Sequence, residues 1–428
     1  MLAHLLAPAL ARRGVHYGWA MAALTFLTSL STAAVMGMPG VLMLPLHAEF
    51  GWDIADISAV MALRLMLFGL MGPFAAAIML RYGVRATVVA AVTLVASALL
   101  LATGMTSELQ LWATWGVMSG LGAGLVALVL GATVASRWFV ARRGLVLGVI
   151  AAASATGQLA FLPLAQWLSD HYGWRVALLP VCAACVVAGT LMLLLGADYP
   201  GQLGLPAFGE TKETLPPPRR GGAALAALRT LAEVSGNRVF WVLFGTFFIC
   251  GLSTNGLVQV HLIPLCADFG IPGVQAAGLL AMMGVLDIFG TIGSGYLSDR
   301  FDSRKLLFWY YGLRGLSLVF LPFSNFTVAG LSVFTVFYGL DWIATIPPTV
   351  KLATQHFGRD RGPLVFGWIF TAHQLGAAVA AFGGGVARDM LGSYLPAFFV
   401  AGAACVLAAL AAMSIRRPVA VAVAPVAA

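Results

Sequence analysis

The sequence predicts an all-α membrane protein in which twelve transmembrane helices form two pseudo-repeated six-helix halves. Composition, an internal repeat and the placement of charge predict it. Of 428 residues, 61% are hydrophobic and only 9% are charged, with a mean hydropathy of +0.94. A soluble domain carries roughly 25% charged residues, so this chain needs lipid as its solvent. Lipid demands that every backbone polar group be paired within the protein, and long apolar runs select helices over a barrel. The repeat has an offset of 219: Pro45, Ala48, Glu49, Phe50 and Gly51 return as Pro264, Ala267, Asp268, Phe269 and Gly270. Arg81, Asp170 and Gly173 return as Arg300, Asp389 and Gly392, and Phe139, Arg143 and Gly144 return one step shorter as Phe357, Arg361 and Gly362. Two parallel membrane halves with a site between them are the plan of a secondary transporter.

Taken in order, the apolar runs place spans at 18–44, 56–79, 86–105, 110–135, 144–168 and 175–196 in the first half. The second half continues at 239–265, 276–297, 305–324, 327–350, 363–387 and 394–415. Of the 24 Lys and Arg, all but Arg64, Arg175, Arg314 and Arg388 fall on the side that holds both termini. This is the positive-inside pattern, so both termini are expected in the cytoplasm of a plasma membrane, the inner membrane in a bacterium. The net charge of +8 therefore reflects topology and implies no nucleic-acid partner.

Residues 198–237 interrupt the pattern with Pro200, Pro206 and Pro216 to Pro218, and read as a cytoplasmic linker between halves 1–197 and 238–428. Within it, residues 223–233 suit a short surface helix. The first residues put charge after the apolar stretch, the reverse of a secretory signal. All five cysteines lie in or beside spans, including the Cys182–Cys185 pair, and read as structural. Glycines cluster at Gly116, Gly120, Gly122 and Gly124 and at Gly290, Gly293 and Gly295, which allows close helix approach. No phosphate-binding loop, metal motif or soluble catalytic domain is present, so no enzyme, cofactor or ATP-driven pump is expected.

Gly295, Asp299, Arg300, Arg304 and Lys305 stand as G-x-x-x-D-R-x-x-x-R-K after span eight. This resembles the loop motif of the major facilitator superfamily, found after spans two and eight. After span two only Arg81, Gly83 and Arg85 remain, with Leu80 in the acid's place. The resemblance implies a gate built from Asp299, Arg300, Arg304, Arg81 and Arg85, lopsided toward Asp299. The span-four arginine of proton-coupled drug exporters is missing, with Gly116 near its place. Narrower likeness comes from Tyr17-Gly18-Trp19, from Pro45 to Trp52, from Arg137-Trp138-Phe139 with Arg142-Arg143-Gly144 and Gly148, and from His171-Tyr172-Gly173-Trp174-Arg175. Together these resemble the monocarboxylate transporter and oxalate/formate antiporter branch. That branch carries an Asp and, one turn on, an Arg in span eight that binds the substrate carboxylate. Here Asp287 matches the acid but Thr291 replaces the arginine.

A charge at mid-membrane costs about 2.5–3.5 kcal/mol on insertion scales and needs a reason. Four residues qualify: Arg64, Asp287, Arg314 and Asp341. Arg64 in span two either faces a substrate anion or snorkels to a carbonyl. Arg314 reads as a structural partner of Asp287 or Asp341, and Asp287 is a proton carrier instead if Arg314 does not hold it ionised. Asp341-Trp342 ahead of Pro347-Pro348 marks an interrupted helix whose freed carbonyls can line a cavity. His373 and Gln374 centre span eleven, where a histidine can meet an anion, carry a proton or simply be buried. Asn255, Gln259 and His261 give span seven a polar face, and Ser154 and Gln158 do the same for span five. In the resembled fold spans one, four, seven and ten line the cavity, which adds Thr28 and Thr32. The expected substrate contacts are thus Arg64, Asn255, Gln259, His373, Gln374 and Thr28, with Asp287, Asp341 and His373 for proton coupling. The expected activity is secondary transport of a small organic anion with protons or by exchange, by a monomer in the lipid bilayer. The competing reading is an exporter of drugs or amphipathic metabolites on the same fold.

Overall fold

Twelve membrane-length rods make up the protein, as the apolar runs require. The computed structural model describes residues 2–211, 223–358 and 361–416. A surface helix α1 (Ala3–Ala11) precedes the first rod, which is α2 (Gly18–Gly37) followed by α3 (Pro39–Phe50). Then come α4 (Ile54–Tyr82), α5 (Val84–Thr103), α6 (Glu108–Trp138), α7 (Arg143–Tyr172) and α8 (Trp174–Leu195). The linker holds α9 (Ala223–Val234), close to the expected 223–233. The remaining six rods are α10 (Arg238–Asp268), α11 (Gly273–Arg300), α12 (Ser303–Phe320), the interrupted pair α13 (Val328–Leu340) and α14 (Ile346–Phe357), α15 (Gly362–Leu391) and α16 (Leu395–Met413). Among the described residues, ten helical stretches are long and apolar enough by themselves to cross a membrane. No strand is present among the described residues, apart from one bridge between Phe139 and Phe208.

The repeat noted in the sequence has a local cause at the rod ends. Gly51 and Gly270, 219 residues apart, adopt φ of 69° and 73° and end α3 and α10 with a left-handed residue that only glycine takes without strain. Just before each, an acid accepts an arginine from its own set of rods. Glu49 meets Arg175 at 2.7 Å and also Trp174 Nε1 at 2.7 Å, while Asp268 meets Arg388 at 3.0 Å.

Buried apolar side chains divide into three clusters, and their membership shows where the two sets of rods meet. One cluster joins both sets, running from Ala34, Leu65 and Trp115 to Leu257, Ala381 and Tyr394, on the side away from the termini. Toward the termini the core splits into a cluster of the first rods, around Met21, Val88 and Trp138, and one of the last, around Phe247, Tyr311 and Ala408. The seam is therefore packed at one face and divided at the other. At the packed face Gly40 of α3 sits so close to α10 that a Cβ would lie 3.3 Å from the Gln259 carbonyl. Ser58 of α4 packs on Gly385 of α15, and Gly273 packs on the Gln166 amide. Asp389 adds a carboxylate that accepts the Ala55 N–H at 2.6 Å, where the first turn of α4 leaves donors free.

On the divided face the linker contacts both sets. Phe208 N–H donates to the Trp138 carbonyl at 2.8 Å, and Trp368 Nε1 of α15 donates to the Ala227 carbonyl of α9 at 2.9 Å. Helix α9 also packs on α4. The glycine clusters serve packing as expected in α6: a Cβ on Gly120 would lie 2.8 Å from the Arg64 carbonyl. Gly290 abuts the Leu340 carbonyl, whereas Gly293 and Gly295 face open space.

The Asp389 contact is exposed, so its loss is expected to cost about 1 kcal/mol, or about fivefold in the closed-to-open ratio of that face. In an Asp389→Ala background, Ser58→Cys should react several times faster with an impermeant maleimide from that face. Equal labelling in both backgrounds would remove the carboxylate as a latch.

Candidate functional site

The interrupted rod sets the geometry of the last six rods. After Leu340 the chain leaves helical form for Asp341 to Thr345, and α14 restarts with Pro347 and Pro348 in its first turn, where a missing N–H costs nothing. The break frees backbone groups, and side chains of neighbouring rods take them up. Arg314 of α12 donates through Nε to Asp341 Oδ2 at 2.7 Å and through Nη2 to the Asp341 carbonyl and, at 3.1 Å, the Trp342 carbonyl. Its Nη1 meets Cys250 Sγ at 2.8 Å. Ser294 of α11 donates to the Ala344 carbonyl at 2.5 Å. The expectation that freed carbonyls line a cavity does not hold for these three, because guanidinium and hydroxyl donors occupy them.

Between the two acids offered by the sequence, Arg314 takes Asp341. Asp287 makes no ion pair among the described residues. Its Oδ1 accepts the Ile343 N–H at 2.8 Å and the Thr291 hydroxyl at 3.0 Å. Thr291, at the position of the missing arginine, thus serves the acid on its own helix. Asp341 Oδ1 is buried and has no partner. One carboxylate is tied to a cation, and the other caps a helix break through neutral donors.

Arg64 is in the opposite situation. It is 0% exposed, and only Nη2 is engaged, by the Val35 carbonyl and Met36 Sδ, both at 2.9 Å. Nε and Nη1 have no acceptor. The guanidinium lies 5.7 Å from the centre of the Trp115 ring. A buried, half-satisfied cation is costly unless an anion completes it.

His373 lies between the rings of Phe247, at 5.0 Å, and Phe370, at 5.8 Å and nearly parallel. Its Nε2 is 3.5 Å from Thr254 Oγ1, and its Nδ1 is 3.3 Å from Gln374 Nε2. Gln374 packs against Gly69 of α4, five residues beyond Arg64, and its Oε1 is buried and unpartnered. Thr371 donates to the Gly69 carbonyl at 3.2 Å. Gln374 and Thr371 therefore sit in the seam between α4 and α15, while Arg64 on α4 meets α2 and α6, and His373 on α15 meets α10. Thr254 bonds to the Cys250 carbonyl at 2.7 Å, so a run of contacts links His373 through Cys250 to Arg314 and Asp341.

Asn255 is half-buried, in a π-helical turn of α10 (Leu252–Val258), and Gln259 follows it on the nearly buried face. Such turns rotate side chains out of the regular register. Thr28 is buried and spends its hydroxyl on the Leu24 carbonyl at 2.9 Å, so it offers no free donor; Thr32 does the same with Thr28. His261 is buried against Tyr394 and bonds the Ala381 carbonyl at 2.8 Å, which makes it a tie between α10 and α15. The Ser154 and Gln158 side chains lie outside the described residues.

At the divided face the expected gate charges are arranged differently from the expectation. Asp299 is exposed and forms no ion pair among the described residues. Arg304 pairs instead with Asp302 at 2.5 Å and donates to the Ile415 carbonyl at 2.9 Å. Arg300 stacks on Tyr296, with 4.1 Å to the ring centre, and Arg81 on Tyr82 at 5.3 Å. Where Leu80 displaced the acid, Asp198 supplies one: it accepts the Arg85 N–H at 2.9 Å, and its carbonyl accepts Arg137 at 3.1 Å. Sequence reasoning missed Asp198 because it belongs to the linker, far along the chain from the loop it completes. Trp115 was missed for a different reason: an indole in an apolar run carries no signal until its neighbours are known.

Comparison with known proteins places these features in context. The Major Facilitator Superfamily profile matches residues 24–381. Monocarboxylate transporter 13 of Bos taurus is 28% identical over 394 residues, covering 90% of this chain and 86% of that protein. Monocarboxylate transporter 12-B of Danio rerio is 28% identical over 421 residues, with 93% and 87% covered. In fold, the chain is similar to the inward open xylose transporter XylE from E. coli, at a TM-score of 0.71 and 13% identity over 95% of this chain and 98% of that one.

Removing one partner of a buried pair leaves an uncompensated charge and costs about 3–5 kcal/mol. Asp341→Asn and Arg314→Met are each expected to lower the melting temperature of the purified protein sharply, and the double variant should recover part of the loss. Two single variants that melt like the parent would mean that the pair carries no structural weight.

Proposed function

The chain belongs to the Major Facilitator Superfamily, a family of transporters rather than enzymes, and we propose that it moves small monocarboxylate-like anions by alternating access. The observation that carries this reading is Arg64, a fully buried guanidinium whose Nε and Nη1 have no acceptor, on α4, the helix of the first set that packs most extensively on α15 of the second. A carboxylate supplies the charge and the lone pairs that are missing there. Relatives named as monocarboxylate transporters support the same class. The absence of the span-eight arginine does not count against it, because the cation is offered from α4 instead. Gln374 sits where α4 and α15 meet, His373 meets α10, and Asn255 and Gln259 present amides from α10.

Coupling is assigned to Asp287, with Asp341 and His373 as the further candidates. Asp287 meets neutral donors only, and protonation would weaken its acceptance of the Ile343 N–H at the helix break. A proton moving down 100 mV supplies about 2.3 kcal/mol, enough for more than tenfold accumulation. Residues 1–197 and 238–428 would rock as two bodies around the seam, with the linker bonded to both. The packed face then closes toward the exterior, and the basic face with both termini lies in the cytoplasm, in a bacterium at the inner membrane. One chain suffices for the cycle.

Uptake of labelled monocarboxylates into proteoliposomes, with and without an inward proton gradient, tests the reading. The gradient should stimulate uptake. Arg64→Gln should raise KM about tenfold or more through loss of a charged hydrogen bond, and Asp287→Asn should keep exchange but lose gradient-driven accumulation. An absence of carboxylate flux in either mode would overturn the anion assignment and turn attention to exported amphiphiles.

A further inference from the structure

Arg64 is not the only unsatisfied donor at its level in the membrane. Trp115 of α6 is 1% exposed, and its Nε1–H has no acceptor. A buried indole nitrogen ordinarily finds a partner. Its ring centre lies 5.7 Å from the Arg64 guanidinium carbon, so the unpaired indole N–H and the unpaired guanidinium N–H groups stand on side chains in contact. Stacking of the cation on the ring accounts for the approach but leaves all these hydrogens unused.

The local backbone is built to bring them together. Trp115 occupies a π-helical turn, Trp112–Met118, which shifts it out of the register of an α-helix. Its own carbonyl is taken by the Ser119 hydroxyl. On the same side, Gly116 and Gly120 let α6 rest directly on α4: a Cβ at Gly116 would lie 3.1 Å from Leu63, and one at Gly120 would lie 2.8 Å from the Arg64 carbonyl. Among the described residues Arg64 forms no ion pair. Asp341 is committed to Arg314 and Asp287 to Ile343 and Thr291, both among the last six rods.

We propose that the Trp115 indole N–H is a second donor to the anion that Arg64 binds, so that the groups left free here are all donors: Nε and Nη1 of Arg64 and one indole N–H. A donor-only site selects by ionisation. An ionised carboxylate brings lone pairs for these donors and the charge that balances the guanidinium, whereas a neutral acid, an amide or a sugar hydroxyl accepts as a neutral oxygen and leaves the buried cation uncompensated. The inference rests on the reading of Arg64 as the anion contact.

The test replaces the N–H and keeps the ring. Trp115→Phe, reconstituted beside the parent and Arg64→Gln, is assayed with labelled acetate, L-lactate and benzoate, and the fastest of the three serves as probe. The expected result is a KM raised about tenfold with kcat unchanged and with the parent's melting temperature, together with partial recovery in Trp115→His, which keeps a ring N–H. A KM unchanged in Trp115→Phe but raised in Arg64→Gln would overturn the role of Trp115 and leave the anion reading intact. A KM unchanged in both, or no uptake of any of the three by the parent, would overturn the two together. If Trp115→Phe does not fold, Trp115→His alone decides: affinity near the parent's supports the N–H donor, and loss as large as in Arg64→Gln overturns it.

Discussion

The second six rods depend on one buried ion pair. Arg314 bridges α12 to the break between α13 and α14 and reaches α10 through Cys250, so one guanidinium holds elements from three rods. The constraint behind it is the membrane itself. A helix can be interrupted in lipid only if every freed backbone group finds a partner inside the protein. Here Arg314 and Ser294 take the carbonyls and Asp287 takes an N–H. Breaking the rod and burying the charge are thus a single structural fact: each is tolerable because of the other.

The two arginines buried at mid-membrane make opposite use of the same chemistry. Arg314 spends its donors on four acceptors, whereas Arg64 spends one nitrogen and leaves two without partners. A satisfied cation is part of the frame, and an unsatisfied one is an invitation to a ligand. The distinction also separates roles between the two sets of rods: the first offers the free cation, and the second holds the carboxylate that is free of any cation.

The seam between the sets gives these residues their context. Its shared apolar core lies at one face, and toward the termini the core divides into two. Gln374 and Thr371 line it where α4 and α15 meet. At the packed face the seal is made of small residues and a carboxylate on a helix end, contacts weak enough to exchange. At the divided face the linker is bonded to each set, to the first through Phe208 and to the second through Ala227.

The sequence by itself determined the class, the twelve rods to within a few residues at most ends, the repeat and the four ionisable residues at mid-membrane. These follow from local composition and spacing, which lipid reads directly. It also located the helix break, because the Pro347-Pro348 pair removes two successive N–H donors and so fits the first turn of a helix, where they are not needed. What the tertiary structure decided is which group meets which. Arg314 takes Asp341 and not Asp287, Thr28 bonds its own helix, Asp302 and Asp198 replace the expected Asp299 in the loop contacts, and Trp115 turns out to face Arg64. The physical reason is rotation. A helix that is apolar all round carries little sign of which side faces its neighbours, so the partners of a buried charge are set by packing, by glycines such as Gly120 and by the added residue of a π turn.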